Sequence, residues 1–129
     1  MDLKIIEIAS DNKNQKIIKV YTHSSKLKNS ICGDEIHIKL NIKKNKIIDF
    51  GYQGKSCIYC QASASLLSKV LIKSEKIKIK EICKDAESYF KGDFQIIKKK
   101  WILLDELFKK KNFSRKECIL LPFKTLKKI

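Results

Sequence analysis

A chain of 129 residues is long enough to bury a core without metal or disulfide crosslinks, so we expect one domain over residues 1–129. Its net charge of +15 comes almost entirely from lysine, since Arg115 is the only arginine. Arginine is the residue that reads bases and grips phosphates, so we expect no nucleic-acid partner. No apolar run approaches the roughly 20 residues of a membrane span, and no segment has the pattern of a signal peptide. We therefore expect a cytoplasmic protein with no membrane contact.

The cysteines also restrict the class of protein. There are five of them, at Cys32, Cys57, Cys60, Cys83 and Cys118. An odd number, spread along a chain without a signal peptide, argues against a secreted disulfide framework. Thiol or metal chemistry in a reducing compartment is the better interpretation.

The first half of the chain predicts a small sheet. Residues 2–11 have the spacing of a short helix, and residues 22–30 that of an exposed edge strand. Residues 35–43 alternate apolar and polar side chains, which predicts a half-buried strand. The dipeptide Lys44-Asn45 predicts a tight turn, and residues 47–52 a second strand, so the pair forms an antiparallel hairpin.

The hairpin has a consequence for three residues. Cys32 and Asp34 precede its first strand, whereas Cys57 follows its second, so all three should meet at one end of the sheet. Cys57 also precedes a predicted helix. A helix N-terminus favours thiolate over thiol, which makes Cys57 a better nucleophile and metal ligand.

The second half of the chain predicts helices. We expect one helix over residues 61–72, a second that starts at Ser74 and runs to residue 90, and a third, amphipathic helix over residues 101–108. Pro122 has the character of a first helical residue and predicts a final helix over residues 123–129. The predicted fold is therefore α+β, a small antiparallel sheet packed against several helices.

Two cysteines need separate interpretations. Cys83 falls within the apolar stripe of the second predicted helix and is expected to be a core residue. Cys60 follows Cys57 by three residues, so on a helix it would share nearly the same face. It is then either a spare ligand or resolving thiol, or an inert small side chain.

The residues alone suggest a metal site. Cys32, Asp34, Cys57 and Cys118 supply three thiolates and one carboxylate, a set that suits zinc or the irons of an iron–sulfur cluster. The carboxylate is the more readily exchanged ligand. The separations of 25 and 61 residues between the cysteines match no generic metal template. A shared site and scattered cysteines without a joint role both remain open at this point.

Three blocks of sequence carry a family resemblance. CGDEIHIKL, IIDFGYQGKSCIYCQASASLLSKVL and SRKECILLPFKTL resemble the NifU N-terminal, IscU and SufU family of iron–sulfur cluster assembly proteins. The resemblance implies that Cys32, Cys57 and Cys118 are the ligating cysteines. It also implies that Asp34 takes part in exchange of a cluster or of zinc.

The resemblance implies a function in three alternative forms. The first is a scaffold that receives sulfur from a cysteine desulfurase, builds an iron–sulfur cluster of the 2Fe–2S type and passes it to apo client proteins. The second is an enzyme, a zinc-dependent sulfurtransferase in which Zn²⁺ holds the same ligands and Cys57 or Cys118 relays persulfide sulfur. The third is a zinc-stabilised interaction module. The scaffold is favoured over the enzyme.

The sequence around Cys118, in the third of these blocks, indicates which partner proteins to expect. The 61-residue interval between Cys57 and Cys118 resembles the SufU type. Glu117 stands next to Cys118 where the IscU type has a histidine, and residues 113–115 replace its chaperone-docking segment. A dedicated Hsp70-type chaperone is therefore not expected. Lys55 and Arg115 flank thiols in sequence and are either aids to persulfide uptake or solvated charges.

Overall fold

A three-stranded antiparallel sheet forms the base of the fold in this computed structural model, which describes residues 2–129. The strands are β1 (His23–Lys28), β2 (Glu35–Lys43) and β3 (Lys46–Gln53), in the order β1-β2-β3. Alternation along β2 places Ile36, Ile38 and Leu40 in the core. The predicted hairpin and its edge strand are confirmed.

The turn between β2 and β3 is made by Lys44 and Asn45. Both have positive φ, 51° and 65°, the conformation that a two-residue hairpin turn needs to match the twist of its strands. From this turn, the pairing of β2 with β3 extends as far as His37, which lies opposite Gln53. The chain after β3 therefore returns to the level at which β2 began.

Helices cover the buried side of the sheet. They are α1 (Leu3–Ser10), α2 (Ile58–Leu71), α3 (Lys78–Phe90), α4 (Ile96–Lys100) and α5 (Lys116–Lys127), with 3₁₀ turns at Ile102–Leu104 and Lys110–Arg115. The α2 helix packs on α1, α5 and β3, and its short side chains at positions 62–65 are all buried, which permits close approach. The α+β fold is confirmed. Within residues 2–129, the helices are too short or too polar to cross a bilayer.

The predicted helix over residues 101–108 is wrong. The chain leaves helical geometry at Trp101, where φ is −136° and ψ is 58°, and the indole N–H donates to Oδ2 of Asp85 at 2.8 Å. Leu104, Leu107 and Phe108 are buried as the spacing required. Successive short turns bury them, because Trp101 is tied to α3 and cannot continue a helix.

The second predicted helix starts later than expected. Ser74 does not begin it, because the backbone around Ser74 pairs with β3. The Ile47 N–H donates to the Ser74 carbonyl at 2.9 Å, and the Lys73 N–H donates to the Ile47 carbonyl at 2.7 Å. The helix proper therefore begins at Lys78.

The predicted role of Pro122 is also wrong. Pro122 lies inside α5, which begins at Lys116. Proline has no N–H, so the Cys118 carbonyl loses its usual partner one turn later. Burial of Ile119 and Phe123 on this helix outweighs that loss. Cys118 is consequently carried on the first turn of a buried helix.

Gly54 determines how closely the end of β3 approaches the start of β2. Its φ is +150°, and a Cβ at this position would lie 2.1 Å from the Glu35 carbonyl oxygen. The Glu35 N–H in turn donates to the Lys55 carbonyl at 2.8 Å. Only glycine permits this contact, which holds the segment leading to Cys57 beside Asp34.

Gly54→Ala is expected to lower the free energy of unfolding by about 1–3 kcal/mol more than Gly92→Ala. Gly92 is a matched control, because its φ is +122° but a Cβ there meets nothing within 4 Å. Urea unfolding followed by Trp101 fluorescence measures both variants. Equal losses would contradict the close approach at Gly54.

Candidate metal centre

Three ligand-type side chains meet at one end of the sheet. Cys32 and Asp34 lie in the loop between β1 and β2, and Cys118 lies on the first turn of α5. Their sulfur and oxygen atoms all lie within 4.8 Å of one another. Such a group, from two distant parts of the sequence, has the dimensions of a metal centre.

Cys57 lies beside this group without belonging to it. It is the N-cap residue directly before α2, and its side chain makes no capping hydrogen bond. Its thiol approaches that of Cys118 closely enough to affect its ionisation. Cys57 is half-buried, Cys32 is exposed and Cys118 is buried, so the site opens from the interior to the surface.

The thiol of Cys118 is difficult to ionise in this environment. Burial raises its pKa, and the neighbouring thiols of Cys57 and then Cys32 raise it further. A bound cation would reverse this effect, because it stabilises thiolates directly. The electrostatics of the site therefore suit a cationic occupant.

Asp34 supplies an independent test of that fit. The residue is 8% exposed, and its Oδ2 atom is buried without a hydrogen-bond donor among residues 2–129. A buried carboxylate oxygen without a partner is costly and rare in native structures. The donor set of two thiols and one unsatisfied carboxylate within 4.8 Å fits a metal such as zinc or iron.

The other two cysteines lie in the core. Cys60 and Cys83 are essentially fully buried, and burial raises the pKa of each thiol to about 12. Cys83 donates to the Phe123 carbonyl at 3.2 Å, so its predicted core role is confirmed. For Cys60 the structure favours the inert interpretation over the spare ligand or resolving thiol.

A cleft of about 370 Å³ borders Cys57. The residues around it are Asp2, Ile5, Cys57, Ile58, Tyr59 and Arg115. The Arg115 guanidinium lies over the Tyr59 ring, 5.3 Å from its centroid. Of the two cations that flank thiols in sequence, Arg115 lines this cleft and Lys55 does not, although both side chains are exposed.

Sequence reasoning missed Asn29, which bonds to the loop that carries Cys32 and Asp34. Its only signal is that asparagine often bonds to the backbone two residues later. That signal is too common to identify a site.

Residues 2–93 match the family model described as the NifU-like N-terminal domain. The chain belongs to this family. The match includes Cys32, Asp34 and Cys57, whereas Cys118 lies beyond its end.

Individual proteins support the assignment. The chain is 31% identical over 126 residues to the iron–sulfur cluster assembly scaffold protein IscU of Thermotoga maritima, covering 95% of this chain and 87% of that protein. A crystal structure from Fervidobacterium islandicum, described as an iron–sulfur cluster assembly scaffold for the SUF system, has a TM-score of 0.83 and 25% identity, covering 98% and 93% of the two chains. A NifU-like N-terminal protein from Brucella abortus shares the fold, with a TM-score of 0.77 and 17% identity over 97% and 88%.

Iodoacetamide near neutral pH is expected to modify Cys32 and Cys57 in the folded protein and to leave Cys60 and Cys83 unmodified. With a pKa of about 12, fewer than about one thiol in a thousand is ionised at that pH, and both thiols are also buried. Peptide mass spectrometry reads each position, with guanidinium-unfolded protein as the control that labels all five. Labelling of Cys60 as fast as Cys57 would contradict its burial.

Proposed function

We propose that this protein is an iron–sulfur cluster assembly scaffold that holds the nascent cluster on Cys32, Asp34, Cys57 and Cys118. The observation that carries the proposal is the convergence of Cys32, Asp34 and Cys118 within 4.8 Å in a chain of the NifU-like family. Two of the relatives named above are described as iron–sulfur cluster assembly scaffolds, which supports an iron–sulfur cluster as the cargo. The chain itself supplies a donor set of the right chemistry.

The arrangement suits assembly followed by release. Thiolates bind the irons of such clusters, and a carboxylate exchanges more readily than a fourth thiolate would. Oδ2 of Asp34, which has no hydrogen-bond donor among residues 2–129, can act as this exchangeable ligand. Cys32 is exposed, so one edge of the site faces solvent and a cluster of the 2Fe–2S type can be handed on from it.

Sulfur would arrive from a cysteine desulfurase as a persulfide. A site thiolate attacks the outer sulfur, the donor's S–S bond breaks, a new S–S bond forms on this chain, and the desulfurase cysteine leaves as a thiolate. Cys57 and Cys118 are the proposed acceptors; for Cys118, a bound cation would have to offset the raised pKa of the thiol. Cys57 borders the cleft with Arg115, which can bind the negative charge of the arriving group. Two electrons from a thiol reductant then convert each sulfur to sulfide.

The remaining partners follow from this role. Apo iron–sulfur client proteins would receive the cluster, and the net charge of +15 would speed encounter with acidic partners. A dedicated Hsp70-type chaperone is not part of the proposal, since residues 113–115 stand where the IscU type has its chaperone-docking segment and Glu117 stands where it has a histidine. We place the protein in the cytoplasm, where thiols stay reduced.

A zinc-dependent sulfurtransferase is the second candidate. The 61-residue interval between Cys57 and Cys118 favours it, because that interval resembles the SufU type. Three thiolates and one carboxylate also complete a tetrahedral zinc site. In this form Zn²⁺ would be resident, and only persulfide sulfur would be relayed.

The two candidates differ in what the protein contains after anaerobic purification. A scaffold is expected to be brown, with iron and acid-labile sulfide in equal amounts. A sulfurtransferase is expected to be colourless, with one zinc per chain. Elemental analysis and a visible spectrum decide between them, and protein that binds neither iron nor zinc after reconstitution would contradict both.

Cys57→Ser and Cys118→Ser are each expected to abolish most cluster formation, because a serine hydroxyl is a poor ligand for iron. The assay supplies ferrous iron, cysteine, a cysteine desulfurase and dithiothreitol, and follows visible absorption and bound sulfide. Cys83→Ser is the matched control, since it makes the same change in a core thiol outside the site. If Cys57→Ser and Cys118→Ser changed neither metal content nor sulfur uptake, the proposed function would be wrong.

A further inference from the structure

We propose that Asn29 is a positioning residue for the metal centre, holding the loop that carries Cys32 and Asp34 in ligand geometry. The ligand role of those two residues rests on the proposed function. The bonding of Asn29 to their loop does not, because it involves only backbone groups of residues 31–34.

The side-chain oxygen of Asn29 bonds to the backbone on the approach to Cys32. Oδ1 accepts from the Ile31 N–H at 2.8 Å and from the Cys32 N–H at 3.3 Å. One acceptor thus fixes two successive peptide units, and the second belongs to a ligand residue. Without it, both N–H groups would face solvent and the loop would gain conformational freedom.

The backbone of Asn29 closes the other end of the same loop. The Gly33 N–H donates to the Asn29 carbonyl at 2.8 Å, and the Asn29 N–H donates to the Asp34 carbonyl at 2.7 Å. Gly33 has a φ of +77°, which lets Cys32 and Asp34 lie on either side of a sharp bend. Residues 29–34 therefore form one hydrogen-bonded unit centred on Asn29.

The side-chain nitrogen of Asn29 points toward the segment that carries Cys118. Nδ2 lies 3.5 Å from both the backbone oxygen and Oε2 of Glu117, the residue before Cys118. These contacts are at the long end of the hydrogen-bond range and are weaker than those of Oδ1. Asn29 still bridges the two chain segments that supply the three close ligands, with its oxygen making the stronger contribution.

Substitutions can separate the contribution of the Asn29 side-chain oxygen from that of its nitrogen. Asn29→Ala removes both, whereas Asn29→Asp keeps an acceptor oxygen, replaces the weak donor and adds a negative charge beside Oε2 of Glu117. Asn41→Ala is a matched control, because it also deletes an asparagine hydrogen bond, from Nδ2 to the Val20 carbonyl at 3.0 Å, but near the end of β2 that leads into the hairpin turn. Thermal unfolding shows which variants fold.

Two readouts test the proposal. In metal-free protein, hydrogen exchange at the Ile31 and Cys32 amides is expected to be about three- to tenfold faster in Asn29→Ala, the effect of losing one hydrogen bond. Titration with Co²⁺, followed by its thiolate absorption bands, is expected to show about 10- to 100-fold weaker binding in the same variant. Asn29→Asp should stay within about threefold of the unmodified protein in amide exchange, because it keeps the acceptor oxygen. Asn41→Ala should stay within about threefold in both readouts.

Two results would overturn the proposal: an Asn29→Ala variant with unchanged amide exchange and Co²⁺ affinity, or an Asn29→Asp variant whose Ile31 and Cys32 amides exchange as fast as those of Asn29→Ala. If Asn29→Ala does not fold, Asn29→Gln takes its place, because its longer side chain moves the acceptor oxygen away from the Ile31 and Cys32 N–H groups; the same losses are expected, and their absence would overturn the proposal. Failure of the unmodified protein to bind Co²⁺ would count against the proposed function. The exchange experiment would then still test the bonding of Asn29 to its loop.

Discussion

The structure depends on the close packing of ligand-type groups from the β1–β2 loop and from α5. Asp34 and Cys118 are both buried, within 4.8 Å of each other and of the Cys32 sulfur. Without a cation this arrangement is unfavourable, since Oδ2 of Asp34 lacks a donor among residues 2–129 and the pKa of Cys118 is raised. The fold therefore retains a local cost at one end of the sheet, and a metal ion or cluster would remove it.

Contacts elsewhere in the molecule hold these unfavourable groups in position. The close approach at Gly54 fixes the segment before Cys57 against β2. The α2 helix is joined to α5 by a hydrogen bond of 2.6 Å from the Ser63 hydroxyl to the Ile119 carbonyl, directly after Cys118. The segment before Cys57 and the helix that carries Cys118 are thus each held by a close contact, which is how proteins maintain unfavourable functional groups in place.

The sequence predicted the parts of the site that depend on local pattern. Alternation along β2 and the turn at Lys44-Asn45 were enough to place Cys32 and Cys57 at one end of a hairpin. The predicted last helix begins only after Cys118, because proline is common at the first position of a helix. Here tertiary burial overrides that preference, and Cys118 lies on the helix. Asn29 could not be predicted, since its role arises from contacts with backbone groups that only the folded loop brings together.

We propose that three thiolates and one carboxylate from separate segments form one metal centre. X-ray absorption on protein loaded with one equivalent of zinc tests it most directly, because it counts the atoms bound to the metal. We predict about three sulfur neighbours near 2.3 Å and about one oxygen near 2.0 Å. A shell made only of oxygen and nitrogen, or one that is unchanged in Cys118→Ser, would contradict the claim.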